Sequence, residues 1–196
     1  FFDDISSQTN INSRHINNGV VAVVDGEGFI DIFKELGTTI IISGGQTKNP
    51  STEEMLNAIN ACNADNIFLL PNNKNIIGVA QQASKLSESN VIVIPTTSVP
   101  AGISGLLGFD NTLSFKENEI NMLESVKNVI TCEITKATKD VTINDVKIIQ
   151  NEYLSIINGE IIASEKSLIN IIEATINYTK PAPENVITVY FGSNIN

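Results

Sequence analysis

One rhythm constrains this chain more than anything else in it. Four times, a short unbroken apolar run gives way to a longer stretch with apolar residues at helical spacing. The runs are residues 20–24, 40–42, 67–70 and 91–94. Phe29, Ile30, Ile32, Phe33 and Leu36 follow the first, and Met55, Leu56, Ile59 and Cys62 follow the second. Ile76, Ile77, Val79, Ala80, Ala83 and Leu86 follow the third, and Ile103, Leu106 and Leu107 follow the fourth. Short strands that do not alternate are buried on both faces, as in a parallel sheet covered by helices. Strand and helix in series imply right-handed crossovers. The expected fold is therefore α/β, a parallel sheet of about four strands with helices on both faces.

The period changes after Phe109. Residues 118–129 read as a helix with Ile120, Leu123, Val126 and Lys127 near its inner face. From residue 130 to 163 the period is two, and Asn158-Gly159 marks a hairpin. Another helix is expected over 168–176. These patterns predict an antiparallel β-hairpin region and a helix after the parallel sheet. They divide the chain into a linker or arm over 1–18, a core over 19–110, an extension of the same domain over 111–180, and a last stretch over 181–196. That stretch holds a Pro-containing linker and an apolar run at 186–191, read as the opening strand of a further domain. The chain does not open on Met, and is read as a piece of something longer.

Charge narrows the partners. With 22 acids against 12 bases the net charge is −10, which repels phosphodiester backbones and anionic lipid heads. Nucleic acid is therefore not an expected partner. Membrane insertion is not expected either, because no apolar run nears the ~20 residues that span a bilayer. No signal peptide is visible, and a cytoplasmic location is expected. Cys62 and Cys132 both read as small buried hydrophobes, not as a disulfide or metal pair. His15, the sole histidine, is too isolated for a zinc site or a Ser–His–Asp set.

Ligands of open parallel sheets sit beyond the carboxyl ends of the strands. Here those ends carry Asp25-Gly26-Glu27-Gly28, Ser43-Gly44-Gly45-Gln46-Thr47, Pro71-Asn72-Asn73-Lys74-Asn75 and Pro95-Thr96-Thr97-Ser98-Val99-Pro100. The candidate ligand- or partner-binding residues are Ser43, Gly45, Gln46, Thr47, Asn72, Asn73, Lys74, Asn75, Thr96, Thr97 and Ser98. They supply donors, acceptors and close backbone approach. The same residue types also fill ordinary βα turns and helix caps, as Ser51 does with Glu54 in a capping box. Gly26-Glu27-Gly28 lacks the third glycine of a dinucleotide fingerprint, and no phosphate-binding Gly-x-x-x-x-Gly-Lys loop is present. No catalytic residue and no metal ligand is assigned.

The strand-end motifs also carry a resemblance. Residues 19–23, 26–29, 32–37, 43–47, 49–53, 70–76 and 99–103, in that order and spacing, resemble the middle region of dihydroxyacetone-kinase-like fatty acid kinase subunits. The resemblance implies a DegV-like α/β core and a subunit that phosphorylates a fatty acid presented by a DegV-type fatty-acid-binding protein. It implies that ATP and magnesium bind on an N-terminal domain outside this chain, so that no cofactor belongs to this stretch. A homodimer is a further expectation. The sequence departs from the family pattern at Ala101, where Gln is expected, and at Thr138-Lys139-Asp140. Val23, Val24, Phe68 and Leu69 stand where some relatives carry metal ligands.

Two functions compete on this reading. One is a non-catalytic scaffold, dimerisation or partner-docking module of that kinase. The other is a small-ligand or lipid-binding module with its site at the strand-end edge. A free-standing phosphotransferase or phosphatase is a third, for which no nucleophile and base can be named.

Overall fold

The computed structural model describes residues 15–45, 48–143 and 145–192. The chain divides into two compact units at the junction of Val129 and Ile130.

The first unit is built on β1 (Ile16–Val24), β2 (Ile40–Ser43), β3 (Ala64–Leu70) and β4 (Asn90–Val93). They form a four-stranded parallel sheet in the order β2-β1-β3-β4. The crossovers carry α1 (Glu27–Glu35), α2 (Thr52–Ala61) and α3 (Ile77–Leu86), and α4 (Val99–Leu107) and α5 (Phe115–Lys127) follow β4. The central strands bury both faces, as unbroken apolar runs require. Val21, Val23, Ile67 and Leu69 pack with Met55 and Ile59 of α2 and Ala80 and Ala83 of α3. Val20, Ala22, Phe68 and Leu70 pack with Phe33 of α1, Leu106 of α4 and Met122 of α5. Phe68 is fully buried and meets the Phe109 and Phe115 rings at 5.9 and 4.7 Å between centroids. Full burial of such a side chain contributes roughly 1.5–3 kcal/mol.

Two boundaries differ from the sequence reading. β1 begins at Ile16, where Asn18 stands opposite Asn66, and Asn66 opposite Asn90. Asn66 Nδ2 donates to Asn18 Oδ1 at 3.3 Å, and Asn90 Nδ2 to Asn66 Oδ1 at 2.9 Å. This amide ladder extends the sheet below its apolar runs, where apolar patterning is silent. Helix α5 begins at Phe115, capped by Ser114 and Glu117 in a reciprocal box. Its inner stripe is Phe115, Asn118, Met122 and Val126, while Ile120 and Leu123 are 46% and 38% exposed. The expected inner face is thus corrected by a polar residue. Buried Asn118 donates to the Asp110 and Leu113 carbonyls and accepts from Asp110 N–H, so its burial costs no lost hydrogen bonds.

The second unit is antiparallel, as the change of period requires. β5 (Cys132–Lys136), β8 (Tyr153–Ile157) and β9 (Glu160–Glu165) pair in the order β5-β8-β9, and β6 (Val141–Ile143) pairs with β7 (Val146–Ile148). Its core centres on Ala137, Ile148 and Leu154. Helix α6 (Leu168–Thr179) buries Ile171 and Thr175, and the Thr175 hydroxyl bonds Ser155 Oγ at 2.7 Å. Cys132 is exposed, contrary to its reading as a buried hydrophobe, because β5 has all five of its residues exposed. Residues 186–191 do not form a strand. Val186, Ile187, Val189 and Phe191 are exposed, and the run pairs with no strand among the described residues. β propensity alone does not make a strand without a partner.

Candidate functional site

The four parallel strands point their carboxyl ends at one edge of the first unit, and asparagine side chains tie that edge together. Asn72 follows β3 at φ 56, a left-handed conformation that Asn tolerates. Its Nδ2 donates to Val23 O of β1 at 2.9 Å, and its N–H donates to Thr96 Oγ1 beyond β4 at 2.9 Å. Asn73 Nδ2 donates to Gly45 O beyond β2 at 3.3 Å, and its Oδ1 accepts from Asn75 N–H at 2.9 Å. Four strand ends are therefore fastened to one another through two adjacent residues.

The candidate residues now separate into two sets. Asn72, Asn73 and Thr96 are buried, and their hydrogen bonds run within the protein. Gly45 is half-buried and receives Asn73. Ser98 caps α4, accepting from Ala101 N–H at 3.2 Å. Ser43, Lys74, Asn75 and Thr97 are exposed, with Lys48 beside them in sequence order after β2. Gln46 and Thr47 lie outside the described residues. The structure brings Gly45, Asn72, Asn73 and Thr96 into one bonded frame and leaves the exposed four as a rim that a partner can touch.

Asn72 Oδ1 is buried with no hydrogen-bond donor among the described residues and faces Gly102 in the first turn of α4. A Cβ at position 102 would stand 2.7 Å from Asn72 Cγ, so only glycine lets α4 approach this closely.

Ser43, Lys74, Asn75 and Thr97 offer polar contacts at the edge. The Cys62 thiol is pushed up to about 11 by burial and is no nucleophile. His15 stands at the start of β1 with Nε2 2.9 Å from Asp65 Oδ1, at the other end of the sheet. Among the described residues no group of three His, Cys, Asp or Glu side chains could hold a metal ion.

A broad open cavity of about 1090 Å³ lies at that other end, lined by His15, Asn18, Leu107, Asp110, Asn121 and Glu124 among others. Sequence reasoning does not find it, because its walls come from strand, helix and loop residues that share no motif. It is shallow and mixed in character, and the convergence of strand ends and helix starts favours the opposite edge as the candidate site.

Over residues 19–196 the sequence matches the family model for the C-terminal region of FakA-like fatty acid kinase subunits. The chain belongs to the FakA-like fatty acid kinase family. It is 36% identical over 176 residues to protein YloV of Bacillus subtilis strain 168, covering 90% of this chain and 32% of that protein. It is 34% identical over 179 residues to an uncharacterised protein of Staphylococcus aureus strain USA300, covering 91% of this chain and 33% of that protein. The chain thus spans about a third of the length of these curated relatives. No helix among the described residues is long and apolar enough to cross a membrane.

Proposed function

We propose that this chain is a non-catalytic, partner-docking region of a dihydroxyacetone-kinase-like fatty acid kinase subunit. Its strand-end rim holds a DegV-type fatty-acid-binding protein while ATP and magnesium, bound elsewhere in the subunit, supply the phosphoryl group. The reaction so served takes place in the cytoplasm and forms an acyl phosphate on protein-bound fatty acid. The observation that carries this reading is the division of labour at the edge. Asn72 and Asn73 fix the loops from inside, and Ser43, Lys74, Asn75 and Thr97 present a pre-organised outer surface. A surface held in place before contact loses little entropy on binding. A small-ligand site has less support, because Nδ2 of Asn72 and both polar atoms of the Asn73 side chain are engaged within the frame.

Calorimetry of a fatty-acid-loaded DegV-type protein with the full-length subunit tests the reading. Thr97→Arg and Lys74→Glu should weaken binding at least about tenfold, as crowding or charge reversal at a docking rim does. Leu107→Lys, in the cavity at the opposite end, should leave it unchanged. Equal affinity in all three variants would remove the rim from the docking surface.

A further inference from the structure

We propose that Asn158 is a site of spontaneous deamidation and isoaspartate formation, and that the fold shields the chain's other Asn-Gly pair from the same reaction. Asn precedes Gly twice, at 18–19 and at 158–159. In this reaction the glycine main-chain nitrogen attacks the asparagine side-chain carbonyl carbon. A nitrogen–carbon bond forms, the bond from Cγ to Nδ2 breaks, and ammonia leaves with the proton from the main-chain nitrogen. Water then opens the resulting succinimide at either carbonyl, giving aspartate or isoaspartate. The steps need no oxidant and no cofactor, and glycine favours them because no side chain crowds its nitrogen.

The two sites differ in exposure, in side-chain hydrogen bonding and in their place in the fold. Asn158 and Gly159 are exposed and form the two-residue turn between β8 and β9, with Ile157 opposite Glu160 as the last pair. Their φ values of 52 and 88 belong to a turn tip, which opens at low cost without disturbing a core. Asn18 is 8% exposed within β1. Its Nδ2 is held by Leu113 O at 3.0 Å and its Oδ1 by Asn66 Nδ2 at 3.3 Å. Gly19 stands opposite Ile67, and a Cβ there would stand 2.5 Å from Cys62 Sγ. Rotating the Asn18 carboxamide onto the next nitrogen would break both of these side-chain hydrogen bonds inside a buried strand.

The products alter the hairpin. Isoaspartate adds a main-chain carbon to a two-residue turn, which no longer sets Ile157 opposite Glu160. Aspartate adds a negative charge beside Glu160.

The test is timed peptide mapping of the folded chain at mildly alkaline pH, with electron-transfer fragmentation to separate aspartate from isoaspartate. Residue 158 should convert more than about tenfold faster than residue 18. In concentrated denaturant the two rates should converge. Conversion of residue 158 no faster than residue 18 in the folded chain would overturn the assignment. A difference that survives denaturation would overturn its second half, showing that sequence context and not the fold protects Asn18.

Discussion

Asn72 Oδ1 lies against the α-carbon side of Gly102, so the Asn72 side chain packs directly on the backbone of the first turn of α4. Gly102→Ala should therefore act as overpacking, not as a helix-propensity change. Alanine favours a helix by up to ~1 kcal/mol, whereas a forced clash costs typically about 1–3 kcal/mol. Net destabilisation in a denaturant titration is the expected result. A gain in stability would mean that α4 moves aside freely.

Asn72→Ala removes the donor to Val23 O and leaves that carbonyl buried without it. It also places alanine at φ 56. A loss of about 1–3 kcal/mol is expected from the unsatisfied carbonyl. Asn72→Gly should lose less than Asn72→Ala because glycine accepts the left-handed backbone. The order of the two variants in urea midpoint checks the assignment.

Phe68→Ala should be the most damaging single truncation in the first unit, costing about 3–5 kcal/mol. The residue is fully buried and touches the Phe109 and Phe115 rings. Ile120→Ala on the outer side of α5 should stay within about 0.5 kcal/mol. Similar losses for both would place the inner face of α5 wrongly.

His15 gives a pH signature that a single imidazole makes easy to read. The Asn63 carboxamide and the Asp65 carboxylate, at 3.4 and 2.9 Å, raise its pKa above 6.5. A raised folded pKa means that the stabilisation is fully present below the unfolded value and is lost as pH rises through the folded one. The proton NMR midpoint should lie above 6.5, and Asp65→Asn should lower it. A midpoint at or below 6.5 in the parent chain would show that the pair does not form.

Much of this architecture is legible in the sequence because continuous apolar runs report burial on both faces of a sheet. Residues 67–70 are such a run, and they form the buried centre of β3. The Ser51 capping box is readable for the same kind of reason, since two side chains at fixed spacing satisfy each other's orphan donors. Ser114 and Glu117 carry the same signal at the start of α5, but the apolar positions Ile120 and Leu123 point to the wrong face. The Asn18–Asn66–Asn90 ladder is not readable. Asparagine disfavours strands, and only the register of three distant segments makes the ladder possible. The same limit applies at the edge, where the motifs locate the strand ends but not which asparagines face inward.

The docking account is tested most directly by hydrogen exchange on the full-length subunit, with and without a fatty-acid-loaded DegV-type protein. Slower exchange confined to the loops around residues 72–76 and 96–98 is the predicted result. Slower exchange around residues 107–113, with the strand-end loops unchanged, would contradict it and place the partner at the other end of the sheet.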